Sequence, residues 1–430
     1  MKIELHKDNP KELDVLRRLA VERDVPLFLV GGALRDHLAG RPVADFDFAL
    51  AAGGEALPWI FAKRIGGSCF WLDQGRGQCR IVLKHGPGNI LTFDFAPLCG
   101  ASIEEDLASR DFTVNAMAVD FSTTDLLIDP FSGLSDLHSR TIRCCSFSAF
   151  MDDPLRLLRA FRLAATLGFE IEDHTRSIIG DNAGLIMRVA PERIRDELFK
   201  ILEVPDAEYS FTELQAAGLL SPLFPKGKDF NRGIASLGQM ENILANLEEE
   251  LPEHGPLLSG YLSEPLEGGV SIRSMLKLGS FLKGAGGDGT ADVICNKIRL
   301  GLKSLRMLQY LLEGLEEPVV WLGSAPGIRP MYRFFKDKQS GPEAVIFAMI
   351  HYGLPDGVGR RLLSFYFTDY RDQEELLSGQ EIMEAFNVAE GEEVGRAIAA
   401  LRSAERTGTV ATRAEALDFL QRKLLTKDLS

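Results

Sequence analysis

Two carboxylates, spaced two residues apart just after a glycine pair, restrict what this chain can fold into more than any other feature. The segment Phe28 to Leu50 reads FLVGGALRDHLAGRPVADFDFAL. It opens on the apolar run Leu27 to Val30, which has the length of a buried strand. Gly31 and Gly32 follow, then a helix-compatible turn bearing Arg35 and Asp36. A second strand closes the segment, with Asp45 and Asp47 alternating against Phe46 and Phe48. Strand side chains alternate with period 2, so both carboxylates project from one face while the phenylalanines bury the other. Aligned carboxylates repel each other unless a cation sits between them, and hard oxygen ligands suit magnesium. The glycine turn lets backbone N–H groups approach a phosphate, where a following helix N-terminus favours negative charge. Alone, a Gly-Gly is usually a turn and an Asp-x-Asp a solvated strand edge. In this order and spacing they fit a metal-dependent site for a nucleoside triphosphate.

A chain of 430 residues exceeds one ordinary core, so two to four domains are expected. With 45% apolar and 26% charged residues it reads as soluble and globular. No run of 18 apolar residues occurs, and the start, MKIELHKDNPKEL, lacks the apolar core of a signal peptide. The six cysteines form no Cys-x-x-Cys pair, so a reducing, cytoplasmic location without membrane attachment is expected. The net charge of −14 argues against a general nucleic-acid binder, and RNA contact would need a local basic surface. No G-x-x-x-x-G-K-[ST] occurs, which excludes a P-loop kinase.

Along the chain, residues 1–26 predict a helix with Leu13, Leu16, Leu19 and Ala20 on one side, and Ala56 to Ile65 another, ended by Gly66 and Gly67. Strands are expected at Ser68–Leu72, Gln78–Leu83, Ile90–Phe95 and Leu126–Asp129. In the third, Asp94 shares a face with Thr92 and Ala96; it either completes the metal site or is an ordinary edge aspartate. Asp106 to Asp120, DLASRDFTVNAMAVD, mixes charge and apolar residues at helical spacing, and Arg110 with Asp111 reads most simply as a surface ion pair. Asp152-Asp153-Pro154 predicts the opening of a helix on which Arg156, Arg159 and Arg162 line one side. Pro191 to Leu202 starts another. Beyond Asp206 the pattern stays helical, broken by linkers at 221–233, 252–269, 284–290 and 323–330.

The opening segment resembles the signature GG-x-x-RD-x-L-x-G-R-x-x-x-D-x-D of the class II tRNA nucleotidyltransferase and poly(A) polymerase branch, with every fixed position present. Further resemblances are RRDFT-x-NAMA, here with Ser109 for the first arginine, and ED-x-x-R, here Asp152-Asp153-x-x-Arg156. PERIRDELFKIL resembles the family's fifth motif, which braces the neck. SMLKLGSFLKGAG, Ser274 to Gly286, is similar to a phosphohydrolase-like helix but has Lys283-Gly284 where His-Asp would stand. A hydrolytic metal site is not expected there.

The resemblance implies an α/β nucleotidyltransferase head, a mixed sheet with flanking helices, over 1–145. A helical neck (146–205), a degenerate HD-like body (206–320) and a tRNA-binding tail (321–430) would follow. Asp45 and Asp47 would hold two Mg²⁺ ions; Asp94, put forward by strand alternation and not by the resemblance, is the third catalytic candidate. Gly31, Gly32 and Arg35 would bind the triphosphate, and Arg110, Asp111 and Asn115 the ribose and phosphates. Asp153 and Arg156 would read the base, with Arg159 and Arg162 helping to hold the nucleotide. The substrates would be ATP, CTP or both, and the partner tRNA, at its 3′ end and elbow, with no protein partner evident. The reaction would build the 3′-CCA end or part of it, down to the terminal A alone. A poly(A) polymerase is the alternative, but Ile65 to Leu72, IGGSCFWL, lacks the arginines that bacterial poly(A) polymerases carry there as VGRRFRLAHV. A non-catalytic RNA-binding descendant is the remote third; it would tolerate loss of the aspartates, and both are present.

Overall fold

The computed structural model describes residues 2–3, 10–86, 89–123, 125–225, 227–251, 254–287, 289–324, 326–338, 341–371, 376–389, 391–406, 409–410 and 413–425. Parts of all four expected linkers lie outside these residues. The chain divides into two compact units, Met1–Val204 with Tyr209–Phe224, and Pro205–Glu208 with Pro225–Ser430.

The first unit is built on a seven-stranded sheet. Its strands are β1 (Leu27–Val30), β2 (Asp45–Leu50), β3 (Ser68–Asp73), β4 (Gln78–Gly86), β5 (Asn89–Pro97), β6 (Ala118–Asp120) and β7 (Leu127–Ile128). They run in the order β3-β4-β5-β2-β1-β6-β7. β2 and β5 are parallel and the other neighbours antiparallel, which makes the sheet mixed as expected. Its helices up to Val204 are α1 (Glu12–Glu22), α2 (Gly31–Leu38), α3 (Leu57–Ile65), α4 (Ile103–Ala108), α5 (Gly133–His138), α6 (Ser148–Asp152), α7 (Arg156–Leu167), α8 (Asp173–Asp181) and α9 (Pro191–Glu203). Alternation along β2 and β5 separates core from site. Phe46 stacks on Phe93 with ring centroids 5.6 Å apart, Phe48 on Phe95 at 5.3 Å, and Phe61 of α3 meets Phe93 edge-on at 5.2 Å. Burying these rings fixes the register, and a slip of one residue would turn them to the opposite face. The same register sets Asp47 directly beside Asp94.

Two expectations need correction. Asp152, Asp153 and Pro154 do not open one helix: Asp152 ends α6, Asp153 is extended with φ −140°, and α7 begins at Arg156. Proline clashes with a helical preceding residue, so Asp153 is pushed out of the helix. Asp106 to Asp120 is not one helix either, but the end of α4, a single 3₁₀ turn at Thr113–Asn115 and β6. Here the Asp111 carboxylate accepts from the Phe112 N–H, satisfying loop backbone that a helix would have satisfied itself.

Among its described residues the second unit is helical apart from a short hairpin, Pro265–Glu267 with Val270–Ser271, turned by Gly268 and Gly269 inside an expected linker. Its central helix, Ile272–Gly284, carries the Lys283-Gly284 pair. The Lys283 ammonium donates to the Leu312 carbonyl (2.8 Å) and lies 4.7 Å from the centre of the Tyr352 ring. A Cβ on Gly284 would lie 2.2 Å from the Ser236 hydroxyl oxygen, so this position has no room for a larger side chain. Nearby, His351 Nε2 is 2.9 Å from the Ser280 hydroxyl, and its ring lies 4.5 Å from that of Phe347. Burial, with the Lys283 charge adding to it, pushes this imidazole down to about 4. The unfolded chain therefore takes up this proton first, and stability should fall as pH drops from about 6.5 towards 4. His351→Gln should remove about 3 kcal/mol of that decline, measured by denaturant unfolding across this range.

Candidate active site

The junction of β1 with α2 places Gly31 against the carboxylate of Asp47. Gly31 has φ +69°, a left-handed conformation that side chains disfavour. A Cβ there would lie 3.0 Å from Asp47 Oδ2 and 3.3 Å from Arg110 Nη1. The glycine is thus required twice, for its backbone and for the space it leaves. Asp47, opposite Val30 on β1 and Asp94 on β5, is half-buried. Burial pushes its carboxyl above the usual range and Asp94 pushes it further; Arg110 and the Ala33 N–H oppose this, while Asp45 adds a smaller push. Asp45 is exposed at the start of β2 and accepts a bond from the Thr92 hydroxyl. Asp94 accepts two bonds from the Arg80 guanidinium, both 2.7 Å.

Gly31, Asp47 and Asp94 border a cleft of about 420 Å³ whose walls also include Gly32, Arg35 and Arg110, whereas Asp45 and Arg80 are not part of its lining. Asn115, Arg159 and Arg162 complete the far side. Behind the wall lies Asp111, 6% exposed, which forms an ion pair with Arg159 at 2.9 Å and accepts from the Asn115 amide at 3.0 Å. Asn115 in turn accepts from Arg35 Nη1 at 2.7 Å, and Arg35 pairs with Asp36. Arg110 is held by Asp106 (2.9 Å) and Arg162 by Glu197 of α9 (2.6 Å). The cleft therefore gathers four arginines around one carboxylate-lined wall, an electrostatic shape suited to a polyphosphate carrying a cation.

Asp153 and Arg156 do not line this cleft. Both oxygens of Asp153 are held by Arg193 of α9, at 3.1 and 2.7 Å. Burial works against its charge, but the Arg193 hydrogen bonds and charge outweigh it and keep the carboxyl below its usual range. Arg156 donates to the carbonyls of Ala149 (3.2 Å) and Ser109 (3.0 Å), so the residue that departs from the family motif still contributes its backbone. Arg80, Asp106 and Arg193 were not singled out from the sequence. For Arg80 the signal was present, because two-residue alternation from Gln78 puts it on the cleft side of β4.

The oxygen donors fit magnesium. Among the described residues no group of three or more acidic, histidine or cysteine side chains converges as a closed metal cage. Asp45 and Asp47 instead form an open pair, and magnesium is usually bound by one or two carboxylates completed by substrate phosphates.

A family model for the poly(A) polymerase head domain matches residues 27–143, and one for a probable RNA- and SrmB-binding site of polymerase A matches 168–230. The CC-adding tRNA nucleotidyltransferase of Geobacter sulfurreducens is 39% identical over 93% of this chain and 92% of its own length. The chain belongs to the tRNA nucleotidyltransferase family. The A-adding enzyme of Deinococcus radiodurans, 30% identical, covers 92% of this chain and 94% of its own. The Thermotoga maritima CCA-adding enzyme complexed with tRNA shares the fold at TM-score 0.68 and 22% identity, over 98% of this chain and 97% of that one. Nucleotidyl transfer is thus the chemistry of this tRNA nucleotidyltransferase, and its family generally uses divalent metals.

Proposed function

We propose that this chain adds cytidylates to the 3′ end of tRNA: the terminal 3′-hydroxyl attacks the α-phosphorus of CTP and pyrophosphate leaves. The whole-length likeness to a CC-adding enzyme carries the choice of product, and the Asp45–Asp47 pair at the Gly-Gly turn supports the reaction type. Asp45 and Asp47 would hold two magnesium ions, with Asp94 beside them. Bound magnesium would supply charge neutralisation on the triphosphate and acidify the attacking hydroxyl. The N–H groups at Gly31 and Gly32, with Arg35, cradle the phosphates. Arg110 draws off charge as the pyrophosphate separates, while Asn115 and Asp111 orient the ribose side. Arg159 and Arg162 hold the nucleotide from α7, and Asp153 with Arg156 tests the base after Arg193 releases it.

In this reading residues 1–145 are the catalytic head and 146–205 the neck. Residues 206–320 are the body, and the helices Glu392–Arg406 and Arg413–Leu425 belong to a tail that reaches the tRNA elbow, in the cytoplasm. Arg396, Arg402 and Arg413 supply positive charge there; the side chain of Arg406 lies outside the described residues.

The likeness to an A-adding enzyme supports a second reading, transfer of the terminal adenylate. Transcripts ending before C74, before C75 and before A76, each incubated with CTP or ATP alone, separate the two. Extension of the first two by CTP with no ATP use on the third supports CC addition. ATP use on the third alone replaces it by A addition, and growth of all three by successive adenylates by poly(A) synthesis.

A further inference from the structure

A straight line of side chains crosses the sheet from the carboxylates to its open edge. Asp47 on β2 is paired with Asp94 on β5, Asp94 with Arg80 on β4, and Arg80 with Phe70 on β3. Directly opposed strand residues share a face, so all four project on the cleft side. At the end of the line Phe70 is 44% exposed, and Leu72, on the same face, is 49% exposed and forms part of the cleft wall. Arg80 lies between Phe70 and Asp94 with its side chain 40% exposed.

Sheet edges are usually guarded by charge, proline or a covering element. This edge reads Ser-Cys-Phe-Trp-Leu before its one charge, Asp73; Phe70 and Leu72 are exposed, while Trp71 lies on the other face against Trp59, ring centroids 5.3 Å apart. An apolar strip of this kind, continuous with an active cleft, marks a surface that meets a partner. The chemistry next to it identifies the partner as unpaired nucleic acid: an aromatic face with a guanidinium alongside is how proteins hold bases without reading their sequence.

We propose that Phe70, flanked by Leu72 and Arg80, is the stacking seat for the unpaired 3′ end of the acceptor RNA. This rests on the RNA-acceptor reading given above. Three strand spacings, about 14 Å, separate β3 from β2, so the seat takes a base behind the reacting ribose and leaves the terminal hydroxyl at Asp45 and Asp47. Arg80 has a second role, since the guanidinium beside the stacked base also holds Asp94 in line. Stacking tolerates any base, which suits an acceptor whose last nucleotide changes after every addition.

The test uses the full-length protein and a tRNA transcript ending before C75 with 2-aminopurine at position 73. Phe70→Ala should raise KM for this tRNA by roughly 5- to 100-fold, with kcat and the Kd for CTP unchanged. Phe70→Trp should restore KM. Binding to wild type should quench the 2-aminopurine emission, and Phe70→Ala should lose most of that quenching. Unchanged KM and quenching in Phe70→Ala would overturn the proposal. So would a fall in its sedimentation coefficient with KM unchanged, because the edge would then join two copies of the chain. Failure of the wild type to extend any tRNA would instead remove the underlying RNA-acceptor reading, so the two failures are distinguishable.

Discussion

If the proposed function holds, Asp47→Ala is expected to lower cytidylate incorporation by roughly 10³-fold or more, because it removes one of the two carboxylates proposed to hold magnesium. The variant should still fold. Asp47 contributes to no apolar contact of the phenylalanine stack, which lies on the opposite face of β2. Asp47→Asn sharpens the test, since an amide keeps the size and can accept the Ala33 N–H while losing the charge. An ionised Asp47, half-buried and crowded by Asp94 and Asp45, is penalised in the metal-free protein. That penalty is absent at pH below the ordinary carboxylate range and grows as pH rises through the elevated native value. At neutral pH in EDTA, Asp47→Asn should therefore melt at or above the wild-type temperature. In saturating Mg²⁺ the order should reverse. Near-normal turnover, or a metal-independent ranking of melting temperatures, would remove Asp47 from the site.

The second large effect concerns the base. An ionised Asp153 only accepts hydrogen bonds and the Arg156 fork only donates. Adenine and cytosine each offer an exocyclic amino group beside an unprotonated ring nitrogen, which matches this pair. Uracil and guanine present a carbonyl and a protonated ring nitrogen, which opposes it at both points. Mismatched buried polar groups discriminate by roughly 10⁴ in favourable sites. Asp153→Ala should bring UTP and GTP incorporation to within about 10-fold of CTP while leaving the KM for tRNA nearly unchanged. The geometry adds a condition, because Arg193 occupies both oxygens of Asp153 and must yield before a base can be read. Single-nucleotide incorporation with all four triphosphates, on wild type and variant, checks it. Unchanged selectivity would assign the choice to other residues.

Local chemistry explains which parts of the molecule could be read in advance. Strands β3, β4 and β5 each follow a glycine directly, and the phenylalanine alternation around Asp45 and Asp47 admits one register. These elements carry their own instructions. Where a side chain stands in for a backbone partner, as at Asp111, helical spacing is a poor guide, because the aspartate holds a loop N–H and not a helix turn. Asp153 and Pro154 do lead into α7, but Asp152 ends α6, because the proline keeps its predecessor out of helical backbone. The partnership of Asp153 with Arg193 spans 40 residues and depends on how α9 meets α7, which no local pattern encodes. The hairpin at Pro265–Ser271 was hidden by its glycines, which read equally well as linker.

The chain of contacts Arg159–Asp111–Asn115–Arg35 ties a helix that follows the catalytic sheet to the helix that carries the glycine pair, through a single enclosed carboxylate. In evolutionary terms this makes the two pieces poor candidates for independent inheritance. A graft that replaced residues after 146 with a relative's would still need an arginine at the Arg159 position to meet Asp111, and a cation there with no carboxylate to receive it would be equally misplaced. Substitutions at these four positions should therefore appear together across the family or not at all, whatever nucleotide each member adds.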